Sequence, residues 1–129
     1  MPQVETLTGS DLEFGKNLWE SLRENSSFPT NGALWLFQLD SAEWHFVVAT
    51  PRVDAVGPRK AYAELAEITK SISAKPSQLL RVELISPKHP LYQALRSVFG
   101  QTLSVEGARL GNTQIAGMYI DNAYLYGIR

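Results

Sequence analysis

Phe14, Leu18 and Leu22 recur at every fourth position, with Trp19 beside them. That spacing places one apolar stripe on a helix from about Asp11 to Glu24. Ser10 and Glu13 have capping-box spacing and predict its start. Asn25, Ser26 and Ser27 end it, and Phe28-Pro29-Thr30-Asn31-Gly32 reads as a turn. The pattern then changes. Ala33 to Leu39 is apolar on both faces, with Trp35 and Phe37 on one side and Leu34 and Leu36 on the other, as in a central strand covered twice. Asp40-Ser41-Ala42-Glu43 is a short polar connection to a second apolar run, Trp44 to Thr50. The two runs predict a hairpin with a four-residue loop.

Pro51 to Gly57 reads as a loop. Pro58 suits a first helical turn, and Ala61, Tyr62, Leu65, Ile68 and Ile72 form the stripe of a helix to about Ser73. Leu79 to Ile85 alternates as a strand, with Leu80, Val82 and Leu84 facing one way and Arg81 and Glu83 the other. Pro87 and Pro90 precede a third helix, Leu91 to Phe99, carrying Leu91, Leu95 and Val98, with Gly100 as its C-cap. Gly111-Asn112 is a two-residue hairpin loop signal in the last segment. It predicts a turn between Ala108-Arg109-Leu110 and a final strand from about Gln114 to Tyr126, bulged or bent at Asp121-Asn122. The element order is α-β-β-α-β-α-β-β. It predicts an α+β fold with about three helices on one mixed or mostly antiparallel five-stranded sheet, in a single domain over 1–129 with 1–9 flexible. The second helix could be a crossover joining two parallel strands.

Composition narrows the chemistry. The chain has 129 residues, close to the common size of one domain, with 12 basic residues against 13 acidic ones and no cysteine. Disulfides, thiolate zinc sites and cysteine nucleophiles are excluded. The balanced charge argues against a domain built for nucleic acid. No apolar run approaches the roughly 18 residues of a membrane helix, and Met1 to Ser10 lacks the pattern of a secretory signal. A cytoplasmic protein is the expectation.

Phosphate-binding, dinucleotide-binding and nucleophile-elbow motifs are missing from the sequence, as is His-Glu metal spacing. No metal or cofactor is expected. His45 reads as a hydrogen-bonded or half-exposed strand histidine, and His89 as a helix cap or surface residue. Glu83, Glu106 and Asp121 could form a magnesium-binding trio only if the fold joined them, which their spacing does not require. The segment Arg52 to Lys60 runs from a buried strand into a helix N-terminus. There Arg52, Asp54, Arg59 and Lys60 could bind a phosphate or carboxylate; otherwise Asp54 pairs with Arg59 or Arg52 and orders the loop. Tyr119, Tyr124 and Tyr126 crowd the C-terminal strand, where tyrosines suit half-buried sheet faces and subunit interfaces.

The segments Ala33-Leu34-Trp35-Leu36-Phe37, Trp44 to Pro51, Gly57-Pro58 with Ala61-Tyr62, and Ile120 to Tyr126 resemble a group of small bacterial proteins without an established activity. The resemblance implies a bacterial or phage cytosolic origin and transfers no site residue. Two expectations for function follow from the residues. One is a non-catalytic interaction or binding module, forming a homodimer or holding a protein partner. The alternative is a small-anion or nucleotide-binding protein, conceivably a hydrolase, built on residues 52–60.

Overall fold

The computed structural model describes residues 7–100 and 108–129. Helix α1 (Gly9–Glu24) leads into the hairpin of β1 (Gly32–Gln38) and β2 (Glu43–Ala49). Three helical segments follow, α2 (Arg52–Val56), α3 (Pro58–Thr69) and α4 (Pro76–Leu79), before β3 (Val82–Ile85). Helix α5 (Pro90–Phe99) precedes a second hairpin, β4 (Ala108–Ile115) and β5 (Met118–Ile128). The five strands form one sheet in the order β3-β2-β1-β5-β4. Every pairing is antiparallel except β2 with β3. The fold is therefore α+β with a mixed sheet, and the helices after β2 cross over to a parallel neighbour.

The period-two pattern of β1 divides the core in two. Ala33, Trp35 and Phe37 face α1 and α3, where they meet Trp44, Phe46, Phe14, Leu18 and Leu65. Leu34 faces α5, among Val47, Ile85, Leu91, Leu95, Ala123 and Leu125. Trp35, Phe46 and Leu18 are fully buried, and the Trp35 and Phe46 rings meet edge to face at 5.2 Å. At the rim of this layer Asp11 is buried. It accepts hydrogen bonds from Arg81 Nη2 at 2.8 Å, Gln78 Nε2 at 3.2 Å and its capping partner Thr8 N–H at 3.2 Å. Burial alone would raise the Asp11 pKa; the Thr8 amide, Gln78 and the Arg81 charge outweigh it and hold the carboxyl below its ordinary value. The Arg81 guanidinium also lies over the Trp35 ring at 5.2 Å. One carboxylate thus ties the start of α1 to the approach to β3.

Several local details differ from the sequence expectation. Thr8 and Asp11, rather than Ser10 and Glu13, form the capping box of α1. Both pairs have the right spacing, but only Asp11 also finds Arg81. The segment read as a loop after Pro51 contains the short helix α2, which Gly57 ends at φ 86°. The strand expected from Leu79 begins only at Val82, because Pro76 starts one helical turn that leaves Leu80 exposed. Tyr62 and Val98, placed on buried stripes by their spacing, are exposed.

The last hairpin turns at Ala116-Gly117, both at positive φ, and not at Gly111-Asn112. Turning there closes Ile115 against Met118 on the α5 side. Gly111-Asn112 lies inside β4, where Asn112 takes φ 42°. Ile120 and Ala123 are three apart yet both pack on α5, so β5 changes face at Asp121-Asn122, opposite that kink. The bend expected there is present without any slip between β4 and β5. The slip in register lies elsewhere: Ala33 pairs with Gly127 and Leu34 with Leu125, leaving Tyr126 as the extra residue of a bulge.

Candidate functional site: the groove beside the β4 edge

The bulge decides where the C-terminal tyrosines go. It turns both Tyr126 and Gly127 toward α1. Gly127 must be glycine because a Cβ there would overlap the Trp19 indole. Gly15 serves the same purpose on the helix: a Cβ would lie 2.5 Å from the Tyr126 hydroxyl. That close approach lets Tyr126 Oη donate to the Leu12 carbonyl at 2.7 Å. Burial, together with the neighbouring Tyr124, pushes the Tyr126 phenol above its usual range, so it remains a neutral donor. Tyr126 is packing.

Tyr124 stands one step further out, its ring 5.3 Å from that of Tyr126. It is only half-buried. With Tyr126 it forms the floor of an open groove of about 750 Å³ whose wall is Leu12, Glu13, Lys16, Asn17 and Glu20 of α1. Arg109 lies directly opposite Tyr124 on β4 and so shares its face of the sheet. The structure therefore brings Tyr124 and Tyr126 together and leaves Tyr119 apart at the hairpin tip. There Tyr119 Oη donates to Asn112 Oδ1 at 2.8 Å.

The sheet has two edges, and they are built differently. β3 has four residues, and the Tyr62 hydroxyl accepts the Leu84 amide at 2.9 Å. That edge is short and partly closed by a side chain. β4 has eight residues with no proline and a single charge, Arg109. Among the described residues it has a neighbour on one side only. Asn112 interrupts its extended backbone at φ 42°, so the uninterrupted part is Ala108 to Gly111, next to Tyr124 of the groove.

The segment considered for anion binding, residues 52–60, carries an ion pair and a hydrogen bond of its own. Arg52 makes a two-pronged ion pair with Glu64, at 2.9 Å from Nε and 2.6 Å from Nη2. This raises the Arg52 pKa and lowers that of Glu64 through their shared hydrogen bonds. Asp54 accepts from Ser86 Oγ at 2.6 Å. Arg59 and Lys60 are exposed on the first turn of α3. The loop is ordered by acidic partners, but these are Glu64 and Asp54–Ser86 rather than a pair within the segment.

A second concavity lies on the opposite face, under α5. It is a cleft of about 180 Å³ between β-strand residues Leu36, Val47, Ile85 and Ile120 and the helix residue Leu91, with Gln38 and Glu83 at one end. Gln38 Nε2 donates to Glu83 Oε2 at 2.9 Å. His45 Nδ1 lies 3.5 Å from the same oxygen, and its Nε2 lies 3.4 Å from Glu43. The latter contact is close without being aligned: His45 Nε2 is buried and has no hydrogen-bond partner among the described residues. His89 accepts the Leu91 amide at Nδ1, the cap its position suggested. Glu83 and Asp121 lie on strands separated by β2 and β1, and Glu106 lies outside the described residues. Among the described residues no three His, Asp or Glu side chains gather as metal ligands. None of their helices is long and apolar enough to cross a membrane.

Compared with known proteins, the chain matches no family model, no curated protein and no solved structure. The site must be read from its own chemistry. Sequence spacing pointed to Tyr124 but not to its surroundings, because α1 and β5 are far apart in the chain. It also missed the Gln38–Glu83–His45 cluster, whose members come from three strands.

Proposed function

We propose that this chain is a protein-interaction module without catalytic activity, and that its contact surface is the groove between α1 and the β4–β5 hairpin. The observation that supports this is the inequality of the two sheet edges. Tyr62 covers part of the short β3 edge, whereas the uninterrupted part of β4 is uncovered among the described residues and runs beside a half-buried tyrosine. Natural sheets blunt edges that are not used for pairing, and tyrosine and arginine are the residue types enriched at interfaces.

The occupant favoured here is a second copy of the chain. The groove wall alternates in sign, with Glu13 and Glu20 either side of Lys16 and Arg109 across the floor. Such a surface can satisfy itself across a two-fold axis, whereas a partner of one strong charge would meet repulsion on half of it. Light scattering on the eluting protein tests the reading. The wild-type chain should show twice the mass of one copy, and Tyr124→Glu should show one copy with an unchanged circular dichroism spectrum. A wild type of single mass at every concentration would refute the second copy.

A further inference from the structure

The cleft under α5 is distinct from the groove, because it opens on the other face of the sheet. Its walls are mainly apolar: Leu36, Val47, Ile85, Leu91 and Ile120 supply methyl groups from four strands and a helix. Its volume of about 180 Å³ compares with an engineered apolar cavity of about 150 Å³ that holds benzene. A six-membered ring or a short branched alkyl chain therefore fits.

The polar end of the cleft has one sign. Glu83 is the lining carboxylate, and among the described residues no lysine or arginine lines the space; His89, whose Nδ1 accepts the Leu91 amide, and Tyr119 are the other polar side chains along it besides Gln38. Gln38 donates its amide N–H to Glu83 Oε2, which turns the Gln38 carbonyl oxygen into a spare acceptor. His45 approaches the same oxygen at 3.5 Å. These contacts fall on Oε2, and among the described residues Glu83 Oε1 has no hydrogen bond. The corner thus presents acceptors and a negative charge at the end of an apolar slot. An anion would meet repulsion there, and a neutral hydrocarbon would leave the carboxylate unused. A bare divalent ion lacks a third ligand, since the described residues hold no such group.

We infer that this cleft is a binding site for a small amphipathic amine, with its apolar body between the strands and α5 and its ammonium group at Glu83 and Gln38. The Glu83 side chain is 40% exposed, so its charge is partly screened. The charge should then strengthen binding about fivefold, the equivalent of an exposed ion pair of about 1 kcal/mol.

The test is a titration of the isotope-labelled full chain, followed by amide resonances, with benzylamine, benzyl alcohol and benzoate as probes. Benzylamine should shift the amides of Leu36, Val47, Ile85 and Leu91. Benzyl alcohol should do so about fivefold more weakly, and benzoate should not bind. In Glu83→Gln, benzylamine should fall to the level of benzyl alcohol. Leu36→Phe, which fills the slot, should weaken both. Absence of shifts at these amides would overturn the inference. So would equal binding of benzylamine and benzyl alcohol by the wild type, which decides the matter even if Glu83→Gln fails to fold. Equal binding of benzylamine by a folded Glu83→Gln would overturn it as well.

Discussion

Replacing Asp11 by asparagine changes one atom type and little volume, yet it reaches three parts of the chain. The carboxylate caps α1 from Thr8, receives Gln78 of α4, and pairs with Arg81 ahead of β3. Asp11 is 6% exposed, and the Arg81 side chain 18%. Water therefore cannot readily replace what the substitution removes. Breaking a buried pair costs about 3–5 kcal/mol when the remaining charge is stranded. Arg81 keeps some solvent and its place over Trp35, and asparagine keeps one acceptor. The expected loss therefore falls below that range, about 2–3 kcal/mol, consistent with losing charge-assisted hydrogen bonds.

Urea unfolding followed by tryptophan fluorescence gives the value directly. The midpoint should fall while the slope stays the same, because the surface exposed on unfolding is unchanged. The pH dependence carries a second signature. The folded-state pKa of Asp11 is depressed, so its contribution is complete above the unfolded value of about 4. It is lost as pH falls below that, through the folded value. Wild type should lose stability over this acid window more steeply than Asp11→Asn. A variant within about 0.5 kcal/mol of wild type, the level of a neutral surface change, would refute the reasoning.

Two further outcomes follow from the packing. Gly127→Ala drives a methyl group into the Trp19 ring and should destabilise the fold by about 1–3 kcal/mol; a thermal midpoint equal to wild type would show that α1 can shift freely. Tyr62→Phe removes the acceptor for the Leu84 amide. It should cost about 1 kcal/mol and speed hydrogen exchange at that amide, whereas unchanged exchange would mean that the edge is protected by something other than the hydroxyl.

The order of elements, the doubly covered central strand and the mixed sheet were legible because they rest on apolar periodicity, which local burial enforces. Trp35 and Leu34 take opposite faces for that reason alone. Turns were harder wherever two signals competed. Gly111-Asn112 has the stronger local preference, but closing the hairpin at Ala116-Gly117 buries Ile115 and keeps Met118 at α5, and tertiary packing prevails. The bulge at Tyr126 had no local signal, since it depends on register against β1 and on Trp19 occupying the space beside Gly127. Pairings across the sheet were illegible for a similar reason. Arg52 had one acidic neighbour in its own loop, Asp54, yet it reaches Glu64 because that residue stands about two turns into α3, on the side facing α2. His45, read as a hydrogen-bonded or half-exposed strand histidine, is partly buried on β2, and the Glu83 carboxylate beside it became visible only once β3 lay parallel to β2.

The proposed contact surface is most directly tested by diluting the isotope-labelled protein and following its amide resonances. If the groove joins two copies, the signals of Lys16, Asn17, Arg109 and Tyr124 should move with concentration, while those of Tyr62 and Leu84 at the opposite edge stay fixed. Resonances that do not change on dilution, or that change only around β3, would contradict the account.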